Sequence, residues 1–493
     1  MSIFSMWLLL GTCATAAFGT SCPGGIGDVE ACESISNTDT EVVESMKVGL
    51  LQTKLTHTLE RNTPVHRSPA RQVLDNHDDV MYTGNMTIGG QQIRGILDTG
   101  SFELVIFGMQ CSTCGIASAY DHTHSSNYHE GHESKELAYG SGACRADDGF
   151  DNVAILDLKA ENQSFWLTNY CEMPLLESAP FNAIVGLGPP GEPVYVARSY
   201  LQDDFYMAKK TGMLPASIAR DKHELDVAKS KPDLLAQFSV KTFSTCFGRE
   251  AGSAGYHIWN DVVPTSSSGM VTAHVPGKLF WSAEVKSASF HDSNSHSTTP
   301  IACKNGCAAI VDTGTTLLGF DTASYTDIYD HLNEMNMDCS DLSVFPNLHM
   351  KVGDGELILP PEAYIGELFG FSSDIGHLMH IDRPSPFRNA SRLHETGHVV
   401  MCELLIMDMG TMMTEFGPEI LIGMPIFREY YVTFDLGSGR DDRTIFFSPA
   451  NDNCEPMSDA QSLERSSAGI VSKRPMKIDA SKIRVPKSFG GQL

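Results

Sequence analysis

Residues 96–101 read Ile-Leu-Asp-Thr-Gly-Ser, and residues 310–315 read Ile-Val-Asp-Thr-Gly-Thr. In each, two apolar residues deliver an aspartate from a buried strand, a glycine lets the backbone turn sharply, and a hydroxyl follows three residues after the carboxylate. A lone Asp-Thr-Gly arises by chance in a chain of this length with odds of about a tenth, so one copy carries little weight. The second copy changes that, because each is followed well downstream by two aliphatic residues and a glycine: Ile184-Val185-Gly186 and Leu421-Ile422-Gly423. Two similar halves are implied. A pair of Asx turns at unrelated strand ends is the bland alternative, and it explains each copy but not their shared context.

Two carboxylates brought together across a pseudo-two-fold axis cannot both ionise cheaply. Like charges a few ångströms apart raise one pKa while hydrogen bonds depress the other, and the pair shares one proton. The ionised member can take a proton from water while the protonated member polarises a carbonyl, which gives amide hydrolysis without metal or covalent intermediate. Asp98 and Asp312 are the candidate pair.

Composition narrows the setting. The 493 residues are 42% hydrophobic and 19% charged, ample for packed cores and unlike a disordered chain. A net charge of -26 repels phosphate backbones, so no nucleic-acid partner is expected. The most apolar later stretch, 399–413, is interrupted by Glu403 and Asp408, and no transmembrane anchor is expected.

Residues 1–20 resemble a secretory signal, with an apolar run from Met6 to Leu10 followed by small residues. Its removal takes Cys13 and leaves an even cysteine count, as in an exported, fully disulfide-bonded protein. The sequons at Asn85, Asn162 and Asn389 are compatible with glycosylation on that route. Residues 21–79 read as a pro-segment: an acidic, Ser/Thr-rich start, then a basic stretch from Met46 to Arg71. From about Asp78 short strands and turns dominate, giving an all-β, mainly antiparallel texture with a few short helices. A first lobe over 80–260 carries a helical insertion at about 199–229, and a second lobe covers 261–455. Residues 456–493 read as a basic, flexible tail.

His122, His124, His129 and His132 share one polar stretch without helical ligand spacing, so a solvated loop is expected there and no metal. Cys111-Ser-Thr-Cys114 has the spacing of a zinc or redox pair, but no second Cys-x-x-Cys completes a zinc site.

Over roughly residues 80–450 the chain resembles the pepsin-like aspartic proteases. Beside the two Asp-Thr-Gly elements, Tyr139-Gly140-Ser141-Gly142 is similar to the family's flap, a hairpin that closes over bound peptide. Phe181 to Gly188 and Leu421 to Tyr431 resemble its paired hydrophobic-hydrophobic-glycine segments, and Phe345 to Leu348 with Leu359 to Tyr364 resembles its second lobe.

The resemblance implies a bilobal fold with pseudo-two-fold symmetry and a catalytic dyad of Asp98 and Asp312. Ser101 and Thr315 would donate to the outer carboxylate oxygens, Thr99 and Thr313 would cross-link the two loops, and Gly100 and Gly314 would give the amides room. Tyr139, Gly140 and Ser141 would close over substrate. It also implies disulfides Cys303–Cys307, Cys339–Cys402 and, in place of a zinc or redox pair, Cys111–Cys114. Cys144, Cys171, Cys246 and Cys454 have three possible pairings, and Cys22 with Cys32 would close a pro-segment loop.

Phe102-Glu103-Leu104-Val105 departs from the family, which has tryptophan where Val105 stands, so the flap tyrosine loses its usual indole donor. Glu103 reads as a rim charge, or as a preference for basic substrate side chains. The expectation is an aspartic endopeptidase of the secretory pathway, extracellular or in an acidic vesicle or vacuole. It would be monomeric and free of cofactors, with peptide or protein substrates and its own pro-segment as partners; acid would trigger cleavage near residues 71–80. The rival is a catalytically silent peptide- or partner-binding relative.

Overall fold

The computed structural model describes residues 68–139, 142–213, 215–265, 267–292, 295–335, 338–371, 391–392, 398–459, 461 and 475–483. The signal segment, Cys22, Cys32, most of the pro-segment, Gly140, Ser141 and Asn389 lie outside them. The chain divides at Arg67, and the described residues all belong to the unit from Ser68 onward.

The first lobe is built from β1 (Ala70–His77), β2 (Met81–Ile88), β3 (Gln91–Asp98), β4 (Leu104–Phe107), β5 (His129–Tyr139), β6 (Gly142–Ile155), β7 (Leu158–Glu172) and β8 (Ala183–Gly186). Hydrogen bonding orders them β1-β2-β3-β8-β4-β7-β6-β5. β3 and β8 are parallel, with Ile96 opposite Ile184 and Asp98 opposite Gly186. The second lobe repeats this arrangement: Cys307–Val311 runs parallel to Gly417–Ile422, with Ile310 opposite Leu421. Consecutive residues of Ala183–Gly186 and of Cys307–Val311 are buried, so both faces of these strands are covered, which is why they read as continuous apolar runs rather than alternating ones. The expected bilobal, mainly antiparallel β architecture is therefore present, and a parallel pair stands behind each Asp-Thr-Gly element.

A shared sheet joins the lobes. Its strands run Val271–His274, Thr444–Pro449, Tyr430–Asp435, Thr242–Phe247, Gly255–Trp259 and β1. Phe243 stacks on Phe434 at 5.0 Å, and the indole of Trp281 donates to the Leu187 carbonyl at 2.9 Å, fixing the second lobe against the loop after β8.

Three sequence expectations need correction. First, residues 70–77, read from the sequence as the end of the pro-segment, form a strand in the body of the protein: β1 pairs with Gly255–Trp259 and with β2, and the buried Gln72 side chain accepts from the Trp259 indole at 2.9 Å. Second, the insertion begins before residue 199. Helix α1 spans Glu192–Thr211 and α2 spans Ile218–Ser230. Gly191 at φ 80 turns the chain into α1, Pro193 sits in its first turn, and Gly212 at φ 72 ends it. Third, part of the basic tail is ordered. Met476–Asp479 adds a strand parallel to Ile365–Phe371, Ile478 is fully buried, and Lys482 reaches Asp78 at 2.6 Å. The alternation Met476-Lys477-Ile478-Asp479 is the strand signal that the charge count hides. The histidines also divide: His122–His124 form one 3-10 turn, whereas His129 and His132 lie on β5.

Buried in the second lobe, Glu419 is 1% exposed and neither carboxyl oxygen has a hydrogen-bond partner. Burial pushes its pKa up to about 7. The folded chain therefore binds this proton more tightly than the unfolded one, and the stability it confers in acid is lost as pH rises toward 7. Glu419→Gln is expected to stabilise the protein by about 1–3 kcal/mol above neutrality and by close to nothing at acid pH, read from urea midpoints at the two pH values.

Candidate active site

Asp98 ends β3, and Asp312 follows Val311 at the end of the equivalent strand. Both are buried, 5% and 4% exposed. The chain turns at each aspartate, and the two turns interlock. The Thr99 amide donates to Thr313 Oγ1 at 3.0 Å and the Thr313 amide donates to Thr99 Oγ1 at 3.0 Å. Each hydroxyl then donates into the opposite half: Thr99 Oγ1 to the Val311 carbonyl at 2.9 Å, Thr313 Oγ1 to the Leu97 carbonyl at 2.7 Å. This reciprocal bracket fixes both strand ends without help from substrate.

The carboxyls meet across the bracket and share a hydrogen bond. Their closeness is also read from the glycines. A methyl group on Gly100 would stand 2.6 Å from Asp312 Cγ, and one on Gly314 would stand 2.3 Å from Asp98 Oδ1. No other residue type fits there. The amides they carry donate within each loop, Gly100 to Asp98 Oδ1 at 3.0 Å and Gly314 to Asp312 Oδ1 at 2.7 Å. Burial, and next the charge of Asp98, hold the Asp312 carboxyl well above the usual carboxylate range.

The hydroxyls three residues on are not equivalent. Thr315 Oγ1 donates to Asp312 Oδ2, as expected. Ser101 Oγ is buried without a hydrogen-bond partner, so its expected bond to Asp98 is not made. A serine side chain has no γ-methyl to restrict its χ1 rotation, whereas Thr315 is fully buried and β-branched.

A cavity of about 580 Å³ opens from the dyad. Tyr139, half-buried at the end of β5, lines it, together with Phe102, Phe280 and residues of α1 and α2. Val105 is buried beside Trp166 in the β4–β7 pairing, so an indole does stand near the expected one, but it arrives from β7. Its Nε1 donates to Glu103 at 2.9 Å. Glu103 also takes Lys135 on both oxygens at 2.9 Å, which removes the free negative charge that a preference for basic side chains requires. Lys231, just past α2, lies 3.5 Å from the Trp166 ring centre and 3.2 Å from Asp148. Trp166 and Lys231 escaped the sequence reading because nothing in their local spacing links them to residue 103.

The three expected disulfides, Cys111–Cys114, Cys303–Cys307 and Cys339–Cys402, are formed. The remaining four cysteines pair as Cys144–Cys171 and Cys246–Cys454. Cys111, Cys114 and Cys171 are the one metal-type cluster among the described residues, and as disulfides they offer no thiolate.

Residues 81–369, more than half of the chain and both Asp-Thr-Gly elements, match the eukaryotic aspartyl protease family. The chain is 25% identical to pepsin A of Gallus gallus over 375 residues, which cover 74% of this chain and 84% of that protein. It is 27% identical over 339 residues to pepsin A of Rhinolophus ferrumequinum, covering 65% and 78%. With pepsin A of Bos taurus it shares 28% over 316 residues, covering 62% and 76%. Interlocked aspartate turns, the two-lobed β framework and this match agree: the chain belongs to the eukaryotic aspartyl protease family.

Proposed function

We propose that the protein is an aspartic endopeptidase in which Asp98 and Asp312 are the catalytic residues. The observation that carries this reading is the buried carboxyl pair, hydrogen-bonded to each other, with Asp312 biased toward its protonated form. In the reaction, Asp98 takes a proton from water as the oxygen attacks the peptide carbonyl, and Asp312 donates to the carbonyl oxygen. The resulting diol collapses with a proton passed to the leaving amine. Thr99 and Thr313 keep the carboxyls aligned, Thr315 orients Asp312, and the unpaired Ser101 hydroxyl remains available to the water or the diol. Tyr139, with Gly140 and Ser141, closes over the peptide.

The protein is further proposed to be made as a secreted or vesicular zymogen. Disulfides support an oxidising compartment. The basic residues from Lys47 to Arg67 suit an acidic cleft, and protonation of its carboxylates would weaken that docking. Because β1 is paired on both sides, the reading favours cleavage upstream of Ala70. N-terminal sequencing after acid treatment tests this; a chain that stays intact and inactive through acid pH overturns self-activation.

Activated protein should be blocked by pepstatin and indifferent to EDTA. Asp98→Asn and Asp312→Asn should each lose at least about a hundredfold in kcat/KM, and a silent binder would instead retain peptide binding with no turnover to lose. Activity should peak in acid and fall as pH rises through the elevated Asp312 pKa, where the shared proton leaves; a maximum above neutrality contradicts the assignment. The same shift makes ionised Asp312 a destabilising group at neutral pH. Asp312→Asn should therefore raise Tm by about 2–4 °C near neutrality and leave it unchanged below the ordinary carboxylate range. Thr315→Val should cost about tenfold in kcat, and Ser101→Ala distinctly less, since only Thr315 holds a carboxylate in the resting state.

A further inference from the structure

The insertion α1–α2 is wired to the flap hairpin by a closed circuit of polar contacts. Strand β5 carries a register shift between Glu130 and Ser134, and Asp148 of β6 caps it: the Glu133 amide donates to Asp148 Oδ1 at 2.9 Å. Gly131 packs so closely that a methyl there would fall 1.9 Å from the same oxygen. The second oxygen of Asp148 faces Lys231, at the exit of the insertion, at 3.2 Å. The Lys231 ammonium also sits 3.5 Å from the centre of the Trp166 ring. Trp166 donates to Glu103, and Glu103 holds Lys135, which returns the circuit to β5. Beside it, His223 of α2 meets Glu133 of β5 at 3.2 Å.

Within this circuit the two ends differ in weight. The Lys135–Glu103 pair is 45% and 26% exposed and screened by water, whereas Lys231 and Asp148 are 14% and 6% exposed. Lys231 Nζ has no hydrogen-bond partner, so its hold on Asp148 and on the Trp166 face is ion-pair and cation–π attraction, which the smaller exposure leaves less screened than the Lys135–Glu103 pair. The register shift that Asp148 caps lies on the flap strand leading to Tyr139, and the same cavity that contains the dyad is lined by Lys231 and Trp166.

We propose that Lys231 is a positioning residue for proteolysis: it fastens the insertion to the flap strands through Asp148 and Trp166, and so sets how tightly the cleft holds an extended peptide. This rests on the endopeptidase reading for its kinetic consequence, but the mechanical coupling stands apart from it. Lys231 touches no reacting atom. Its removal should loosen the hairpin around the capped register shift, weakening peptide binding while leaving the chemistry of the aspartate pair intact.

The test uses the activated protein, an internally quenched peptide with paired phenylalanines at its centre, and the variants Lys231→Met and Lys231→Arg. For Lys231→Met, KM should rise about tenfold with kcat within about twofold, a size typical of coupling residues outside the site. Lys231→Arg, which keeps the charge and can lie on the indole, should recover most of the loss. Hydrogen exchange should be faster in residues 129–139 of the Met variant and unchanged in the second lobe. Equal KM and equal exchange in wild type and Met variant overturn the proposal. So does faster exchange throughout the first lobe, or failure of arginine to recover binding, because either makes Lys231 a general folding residue. An inactive wild type would sink the endopeptidase reading alone, with the exchange comparison still deciding the coupling.

Discussion

The reciprocal bracket between Thr99 and Thr313 is the constraint on which the rest depends. Each threonine satisfies the amide of the other and the carbonyl of the opposite strand, so four buried polar groups are paired by residues more than two hundred positions apart. Leaving any of them unmade inside a protein costs more than the bond itself gains. The two halves are therefore held in one mutual orientation, and the aspartates one residue earlier have no choice but to face each other.

That enforced meeting is unfavourable in itself. It places two acids side by side in a buried site, where burial and the neighbouring charge both oppose ionisation of Asp312. The fold offsets this with features remote from the carboxyls: the continuous apolar strands behind each aspartate, the Phe243–Phe434–Trp281 contacts at the lobe junction, and the Trp281 bond to the loop after β8. Functional sites commonly hold such local costs within an otherwise consistent structure.

What the sequence made legible was whatever repeats or is local. Asp98, Asp312, their threonines and glycines could be found because the same six-residue pattern occurs twice, and the Cys303–Cys307 and Cys111–Cys114 rings because the family carries them at those places. Features created by long-range pairing were not legible. Cys144 and Cys171 oppose each other only once β6 and β7 are in register. Trp166 reaches Glu103 only through the parallel β4–β7 contact. The start of α1 lies behind Gly191 and Pro193, which punctuate the chain just before its periodic part, and the tail strand is only four residues long within a segment whose charge is basic. The unequal fates of Ser101 and Thr315 lie below what a motif can express.

The Cys144–Cys171 bond has a consequence for how polypeptide enters the cleft. It ties β6 to β7 only two residues beyond Gly142, where the hairpin turns back, and the pairing continues to Ala143 opposite Glu172. One arm of the hairpin is thus welded to the lobe almost to its tip, which prevents it from swinging as a free two-stranded lever. Of the two arms, the one that carries Tyr139 is the arm that this cross-link leaves untied.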